Sequence, residues 1–260
     1  MGRATMFEPA RSLDRSSPRT AFAAQKVFIG SITPSGNTVV ERISLAILAE
    51  FPQASMHFSR TPVHGDTDPH AGTYDFASML GAADLLAHAH PALILWNGSK
   101  AASLRFELDR DLCTRIQSRT GVRASTSILA LDQVLRAGGI SRCALVSPYD
   151  AAYQQCIAAC LAREGYECVA QAHAGLRDNL SFAQIDPDAI AGMLRTVAAA
   201  RPQAIVTVCT NFPAALVVAE MERELGIPIY DTVALGVWHA LKLCGIDTAP
   251  GRAWGSLFGS

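Results

Sequence analysis

Short apolar runs alternate with stretches of helical periodicity along nearly the whole chain. Apolar runs of strand length lie at 26–32, 55–58, 92–96, 143–146, 167–172 and 204–208. Helical patterns follow these runs. Five of them span 74–88, 128–136, 151–163, 187–200 and 233–243, and three more end near residues 50, 118 and 225. This alternation implies parallel strands in βαβ units, and helices on both faces of a sheet explain why its strands are apolar throughout. The pattern predicts an α/β fold.

The two halves of the chain have similar patterns. The turn at 33–35 has a counterpart at 147–149, and the turn at 97–99 has a counterpart at 209–211. We expect one catalytic region, 25–260, made of two similar Rossmann-like halves, about 25–125 and 126–245, with parallel sheets flanked by helices. The active site is expected in the cleft between the halves. We expect the C-terminal segment to pack back onto the catalytic region and residues 1–24 to form a disordered tail.

Composition argues against several kinds of partner. A net charge of −1 gives no basic surface for nucleic acid. No apolar run approaches the roughly 20 residues of a membrane helix, so no membrane partner is expected. Seven cysteines, an odd number scattered through apolar stretches, argue against a disulfide framework and favour a reducing cytoplasm. The first 24 residues lack the apolar core of a secretory signal, and Glu8 and Asp14 weaken a transit-peptide interpretation.

No motif for a cofactor or a metal is complete. Gly36 is a single glycine after a strand, and neither a G-x-G-x-x-G nor a Walker sequence occurs. The segment 64–70 carries His and Asp at spacings that fit no zinc or calcium pattern, so we expect a plain loop or a lid. Cys156 and Cys160 share one face of a predicted helix and are expected to pack in the core. We therefore expect neither cofactor nor metal.

Cys209 is the principal candidate for chemistry. It follows an apolar strand and precedes Thr210, Asn211 and the start of a helix. In open α/β sheets, ligands bind outside the carboxyl ends of the strands. The positive end of a helix dipole favours a thiolate, so the pKa of Cys209 is expected to be lowered. The alternative is a buried cysteine that serves only as a small apolar residue.

Other polar residues at strand ends allow two interpretations each. Ser35 and Asn37 are good helix caps, but the same turn offers hydroxyl, amide and N–H donors for a carboxylate. Tyr149, after Pro148 at a strand end, either donates to an oxyanion or packs. Asn179 is either a ligand-binding residue or an ordinary loop residue.

Together these segments resemble the aspartate/glutamate racemase superfamily, in its maleate cis-trans isomerase and arylmalonate decarboxylase branch, over about residues 26–260. The turn 33–38 looks like that branch's Pro-Ser-Ser-Asn-Thr turn, 147–149 like its Pro-Tyr turn, and 178–180 followed by 186–187 like its Asp-Asn-Leu stretch. The resemblance implies that Asn37, Tyr149 and Asn179 bind a substrate carboxylate. Cys209 matches the second of two cysteines that such enzymes use from opposite faces of the substrate, which implies a proton donor or acceptor.

One position departs from the family pattern. The first cysteine should follow the strand 93–96, where the chain reads Asn97-Gly98-Ser99-Lys100. Gly98 aligns with the missing cysteine. If the alignment is shifted by one residue, Asn97 takes that position instead. A glycine there, with the second cysteine kept, is the arylmalonate decarboxylase pattern, which implies that Ser99 and backbone N–H groups stabilise an enediolate. Lys100, where decarboxylases carry serine, and the isomerase-like Asn37 make the match mixed.

These observations favour a cofactor-independent enzyme that acts on a small mono- or dicarboxylic acid. The favoured reaction is decarboxylation of a substituted malonate through an enediolate that Cys209 protonates, with Tyr149 and Ser99 as the other catalytic residues. The expected substrate-binding residues are Ser35, Asn37, Gly98, Asn179, Thr210 and Asn211. One alternative is a maleate isomerase or Asp/Glu-type racemase with another group, such as Lys100, in place of the thiol. A second is a catalytically inactive carboxylate-binding protein. A homo-oligomer is expected from family habit alone.

Overall fold

Two four-stranded parallel sheets form the framework of the part of the chain that the structure describes. The structure is a computed structural model, and it describes residues 27–63 and 69–259. The first sheet contains β1 (Val27–Pro34), β2 (Ala54–Thr61), β3 (Leu93–Trp96) and β4 (Ala124–Thr126). The second contains β5 (Arg142–Tyr149), β6 (Glu167–Leu176), β7 (Ala204–Thr207) and β8 (Ile229–Asp231). The predicted α/β fold with two similar halves is confirmed.

Helices connect the parallel strands, as such connections require. They are α1 (Val40–Leu48), α2 (Phe76–Ala87), α3 (Glu107–Thr120), α4 (Ser127–Ala137), α5 (Ala151–Arg163), α6 (Asn179–Phe182), α7 (Pro187–Ala198), α8 (Ala215–Leu225) and α9 (Thr232–Leu243). Short 3₁₀ helices span Lys100–Ser103, Ala249–Trp254 and Ser256–Gly259. Among the described residues, no helix has the length and apolar character needed to cross a bilayer.

The two sheets share one strand order. The order is β2-β1-β3-β4 in the first sheet and β6-β5-β7-β8 in the second. The direction of winding therefore reverses between β1 and β3 and again between β5 and β7. Ligands of open parallel sheets bind at such switch points, outside the carboxyl ends of the strands. The residues that follow β3 and β7 occupy equivalent positions in the two halves.

Several element boundaries differ from the sequence prediction. β5 continues to Tyr149, because that residue still pairs with Leu176 of β6, so 147–149 ends a strand and is not a turn. β4 and β8 were not predicted, since three-residue strands that run straight into helices leave little periodicity of their own. The helix predicted directly after Cys209 begins only at Ala215.

Cys156 is exposed while Cys160 is buried, so the expectation that both pack in the core is wrong for Cys156. The helix turns by 100° per residue, and a separation of four residues leaves the first at the edge of the buried face. The predicted disordered tail, 1–24, and most of the predicted loop or lid, 64–68, lie outside the described residues.

The C-terminal segment is anchored to the first half by aromatic packing. Phe258 is fully buried, and its ring centroid lies 6.5 Å from that of Phe51, which follows α1 and is also fully buried. Gly251 allows this contact, because a Cβ there would lie 2.6 Å from the Phe258 ring. The last 3₁₀ helices therefore close one end of the hydrophobic core.

We predict that Phe258→Ala destabilises the protein by about 3–5 kcal/mol, the usual cost of removing a fully buried phenylalanine ring. Urea unfolding followed by circular dichroism measures this change. Leu216→Ala is the control, because Leu216 on α8 is 55% exposed and its truncation should change the free energy of unfolding by no more than about 0.5 kcal/mol. Equal effects of the two substitutions would contradict the anchoring role of Phe258.

Candidate active site

A cavity of about 580 Å³ lies where the carboxyl ends of the two sheets meet. Seven predicted site residues line it: Asn37, Ser99, Tyr149, Asn179, Cys209, Thr210 and Asn211. They come from both halves, which the duplicated strand order places on opposite sides of the cleft. Apolar side chains, including Val63, Met79, Leu104 and Phe182, form much of the remaining wall.

Cys209 lies two residues beyond β7 and is almost fully buried, with 3% of its surface exposed. Its backbone N–H donates to Thr232 Oγ1 at 3.3 Å, and the N–H of Asn211 donates to its Sγ at 3.4 Å. These contacts fix the sulfur at the base of the cavity.

Burial raises the pKa of the Cys209 thiol to about 12, against the opposing effects of hydrogen bonds from Tyr149 and the N–H of Asn211. The predicted lowering of this pKa is therefore wrong. The next helix begins six residues later, so its dipole is too distant to act, whereas desolvation is complete. The nearby carboxyl of Asp231 also raises the pKa. At neutral pH the thiol holds its proton, which suits a proton donor.

Tyr149 connects Cys209 to the first half of the site. Its phenol lies close enough to the Cys209 thiol and to the Ser99 hydroxyl for both groups to act on its pKa. Burial, followed by the proximity of Cys209, raises the pKa of Tyr149 well above its ordinary value, so the phenol remains a hydrogen-bond donor. Its ring packs against Tyr153 and Phe182, with centroid distances of 4.3 and 5.1 Å. Ser99, Tyr149 and Cys209 thus form one row of neighbouring polar groups in the cavity.

Asn37 and Thr210 join the two halves directly. Asn37 Nδ2 donates to Thr210 Oγ1 at 3.0 Å, and Asn37 Oδ1 accepts from the N–H groups of Val39 and Val40. Asn37 therefore caps the first turn of α1, as one of the two interpretations of the sequence held. Both polar ends of its amide are engaged within the protein.

Asn211 spans the same boundary. Its Oδ1 accepts from the N–H groups of Thr38 and Val39 at 2.9 and 3.2 Å, and its Nδ2 donates to the backbone oxygen of Asn179 at 2.5 Å. The N–H groups of Thr38 and Val39 at the start of α1 are thereby occupied within the protein. Asn179 also packs against the turn, 2.8 Å from where a Cβ on Gly36 would lie.

Two predicted site residues do not line the cavity. Ser35 is exposed, and its Oγ accepts from the N–H of Val63, which fixes the end of β2. Gly98 lies behind the indole of Trp96, whose Cζ2 is 2.2 Å from the position of an ideal Cβ on Gly98. Lys100 does line the cavity, and its Nζ donates to the backbone oxygen of His70 at 2.7 Å.

Sequence analysis missed a buried polar group beside the cavity. Trp96 Nε1 donates to the Tyr74 hydroxyl at 3.2 Å, and that hydroxyl donates to Asp109 Oδ1 at 2.5 Å. Burial raises the pKa of Asp109 to about 7, against the hydrogen bonds from Thr126 and Tyr74. A charged residue on the buried face of α3 was the available signal, but its partners Thr126 and Tyr74 lie 17 and 35 positions away in the chain and share no motif with it.

Metal ligands do not cluster in the described ranges, 27–63 and 69–259. No group of three or more His, Cys, Asp or Glu side chains there is arranged to hold an ion. His70, the last residue of the segment 64–70, has its Nε2 3.9 Å from Asp75 Oδ2, and both residues line the cavity.

Comparison with known proteins gives a consistent picture. A sequence model described as arylmalonate decarboxylase matches residues 81–258. A maleate isomerase of Nocardia farcinica is 28% identical over 232 residues, covering 85% of this chain and 91% of that protein. The arylmalonate decarboxylase of Bordetella bronchiseptica is 26% identical, covering 56% and 62%. The crystal structure of a maleate isomerase variant from Pseudomonas putida with maleate has a TM-score of 0.82 at 23% identity, covering 89% of this chain and 97% of that one.

We predict that Cys209 reacts slowly with iodoacetamide in the folded protein. A thiol with a pKa of about 12 is a thiolate in about one molecule in ten thousand at pH 8, and the thiolate is the reactive form. Peptide mass spectrometry over a time course should show Cys209 alkylated at least about 100-fold more slowly than the exposed Cys156 of the same molecule.

The same measurement in 8 M urea provides the control, because unfolding should bring the two rates within about threefold of each other. Rapid alkylation of Cys209 in the folded protein would contradict a buried, protonated thiol.

Proposed function

The chain belongs to the arylmalonate decarboxylase family, and from this premise we propose that it is a cofactor-independent enzyme that decarboxylates a substituted malonate. The observation that supports this proposal is the row of neighbouring polar groups, Ser99, Tyr149 and Cys209, in a cavity with largely apolar walls. The row offers two hydroxyl donors and one protonated thiol, which are the groups that this reaction requires.

In the proposed reaction, the bond between the α-carbon and one carboxyl carbon breaks, and carbon dioxide leaves. The bonding electrons remain on the substrate as an enediolate, whose negative charge lies on the oxygens of the retained carboxylate. Preorganised donors stabilise such a charge without reorganisation during the reaction. We assign this role to the hydroxyls of Ser99 and Tyr149.

Cys209 then supplies the proton. The Sγ–H bond breaks, the proton is transferred to the α-carbon, and the resulting thiolate takes a proton from solvent before the next cycle. A thiol with a pKa of about 12 is protonated when the enediolate forms, as a donor must be. Because one thiol lies on one face, the product is expected as a single enantiomer.

The size of the cavity supports a substituted malonate over a four-carbon diacid. About 580 Å³ falls within the range that pockets offer to drug-sized ligands. Apolar wall residues such as Met79, Leu104 and Phe182 would accommodate an aryl or alkyl substituent. The same walls disfavour a carboxylate held against them, which assists its loss.

Maleate cis-trans isomerisation is the second candidate. It is favoured by the Nocardia farcinica relative, whose similarity extends over 85% of this chain. It is disfavoured by Gly98, since a mechanism with two cysteines needs a thiol on each face of the substrate. The expectation of an Asp/Glu-type racemase meets the same objection.

We predict that the protein converts 2-methyl-2-phenylmalonate in D₂O to 2-phenylpropionate carrying one deuterium at the α-carbon. Cys209→Ala should lower the rate by about 100- to 10,000-fold, the usual contribution of a positioned general acid. Proton NMR measures both the loss of substrate and the deuteration of the product, and chiral chromatography measures the enantiomeric excess.

Cys244→Ala is the matched control, because this thiol lies at the end of α9, away from the cavity, and its removal should leave the rate unchanged within about twofold. Maleate and aspartate are incubated in parallel. Conversion of maleate to fumarate, with no malonate consumed, would replace decarboxylation by isomerisation. Exchange at the α-carbon of aspartate would indicate a racemase, and binding without turnover would indicate a carboxylate-binding protein.

A further inference from the structure

Trp96 fills the space that a side chain at position 98 would take. An ideal Cβ on Gly98 would lie 2.2 Å from Cζ2 and 2.5 Å from Cε2 of the indole, well inside van der Waals contact. The backbone of Gly98 does not adopt a positive φ, so its conformation is open to other residues. The indole, and not the backbone, is therefore what requires glycine at this position.

The indole and the Cys209 thiol occupy corresponding places in the two halves. Gly98 follows the last residue of β3 by two positions, and Cys209 follows the last residue of β7 by two positions. The two sheets have the same strand order, and Trp96 and Cys209 line the same cavity. The first half thus presents an aromatic ring where the second half presents an acid–base group.

A buried polar network holds the indole in this place. Tyr74 receives a hydrogen bond from Trp96 Nε1, and the two rings meet edge to face at 6.1 Å and 76°. The Tyr74 hydroxyl is also hydrogen-bonded to the backbone of Ala101 and donates to Asp109. Asp109 is fully buried, and its second oxygen accepts from the hydroxyl of Thr126.

We propose that Trp96 is the specificity-determining residue of this site, with Tyr74 and Asp109 as positioning residues. The indole turns the side of the cavity that corresponds to Cys209 into a rigid apolar wall. That wall excludes a second acid–base group and limits the size of the second substituent on the substrate's α-carbon. The consequence for the substrate rests on the proposed function, whereas the packing of Trp96 against Gly98 does not.

Each partner of the indole contributes a distinct restraint. A buried network that satisfies all of its donors and acceptors fixes a single arrangement, since any other rotamer leaves a polar group unpaired in a medium of low dielectric constant. The edge-to-face contact with Tyr74 restricts the tilt of the indole, and the hydrogen bond to its Nε1 restricts its rotation. Removing the Tyr74 hydroxyl should therefore loosen the wall without removing it.

The packing is tested by thermal unfolding of Gly98→Ala, Trp96→Leu and the double variant. An overpacked methyl group costs about 1–3 kcal/mol, and in a domain of this size 1 kcal/mol lowers Tm by about 2–4 °C. We expect Gly98→Ala to lower Tm by about 3–10 °C in the wild-type background. In the Trp96→Leu background, the same substitution should lower Tm by less than about 2 °C.

Gly192→Ala is the matched control, because Gly192 lies exposed on α7 and a Cβ there meets nothing within 4 Å. This substitution should leave Tm unchanged or raise it, since alanine is the better helix former. Equal losses of Tm for Gly98→Ala with and without the indole would overturn the packing argument.

Specificity is tested with 2-methyl-2-phenylmalonate and 2-phenyl-2-propylmalonate. We expect the wild type to favour the methyl compound in kcat/KM by at least about tenfold, and Trp96→Leu to reduce that preference by about tenfold or more. Trp96→Phe, which keeps an aromatic ring, should fall between the two. Tyr74→Phe should reduce the preference and lower Tm by about 4–12 °C, because it leaves Trp96 Nε1 and one oxygen of Asp109 without their partner. Phe258→Ala, which destabilises the protein away from the cavity, should lower Tm by a similar amount and leave the preference unchanged, a split that a purely structural role of Tyr74 would not produce.

The outcomes separate this inference from the proposed function. If the wild type turns over neither malonate, the proposed function fails, and calorimetric binding of the two acids to the wild type and Trp96→Leu then measures the preference. An unchanged preference in Trp96→Leu, by turnover or by binding, would overturn the role of Trp96. A changed preference with no turnover would keep Trp96 as the wall of a binding site.

Discussion

The side-chain amide of Asn211 ties the two halves together at the point where the cavity forms. Its oxygen accepts from the first N–H groups of α1 in the first half, and its nitrogen donates to the backbone of Asn179 in the second. An amide this deeply buried is stable only when its hydrogen bonds are made, so the relative placement of the halves and the pairing of Asn211 depend on each other. The contact also occupies the N-terminus of α1, a position that often binds anions. In the proposed reaction, recognition of the negative charge is assigned to Ser99 and Tyr149, and of these two it is Tyr149 that contacts the Cys209 thiol.

Burial decides what the thiol in that cleft can do. A helix dipole favours a thiolate only within about one turn of the helix, and α8 begins too far along the chain to act on Cys209. Desolvation is then the dominant effect, and it raises the pKa of Cys209 to about 12. The hydrogen bond from Tyr149 opposes this change but does not reverse it. A thiol in this state is a weak nucleophile in the resting protein, because almost none of it is present as thiolate. It can still donate its proton to a carbanion, because a carbanion is a much stronger base than water. This protonation state is the one that the proposed decarboxylation requires of Cys209.

Much of the fold was predictable because it follows from patterns along the chain. Apolar strands alternating with helices specified the parallel sheets, and the helix Ala151–Arg163 was predicted to the residue. β4 and β8 were not, since three residues carry no period. Within the site, residues directly after strands were recognisable, but their charge states were not. The predicted lowering of the Cys209 pKa relied on local neighbours, whereas its environment includes Tyr149, 60 residues before it in the chain, and Asp231, 22 residues after it. The group around Asp109 was missed for the same reason.

Gly98 shows why one position of a sequence is a weak guide to chemistry in this family. Read alone, a glycine in place of a cysteine marks the loss of a functional group. In the structure the position belongs to a pair, because the indole of Trp96 occupies the volume that any larger side chain at 98 would need. A thiol introduced at 98 would meet that ring, and removing the ring alone would leave a cavity with no new acid or base. The two residues therefore have to change together, and the Tyr74 hydroxyl would lose the hydrogen bond from the indole while keeping its bond to Asp109. The choice between one acid–base group and two is thus built into a buried network of the first half and does not rest on position 98 alone.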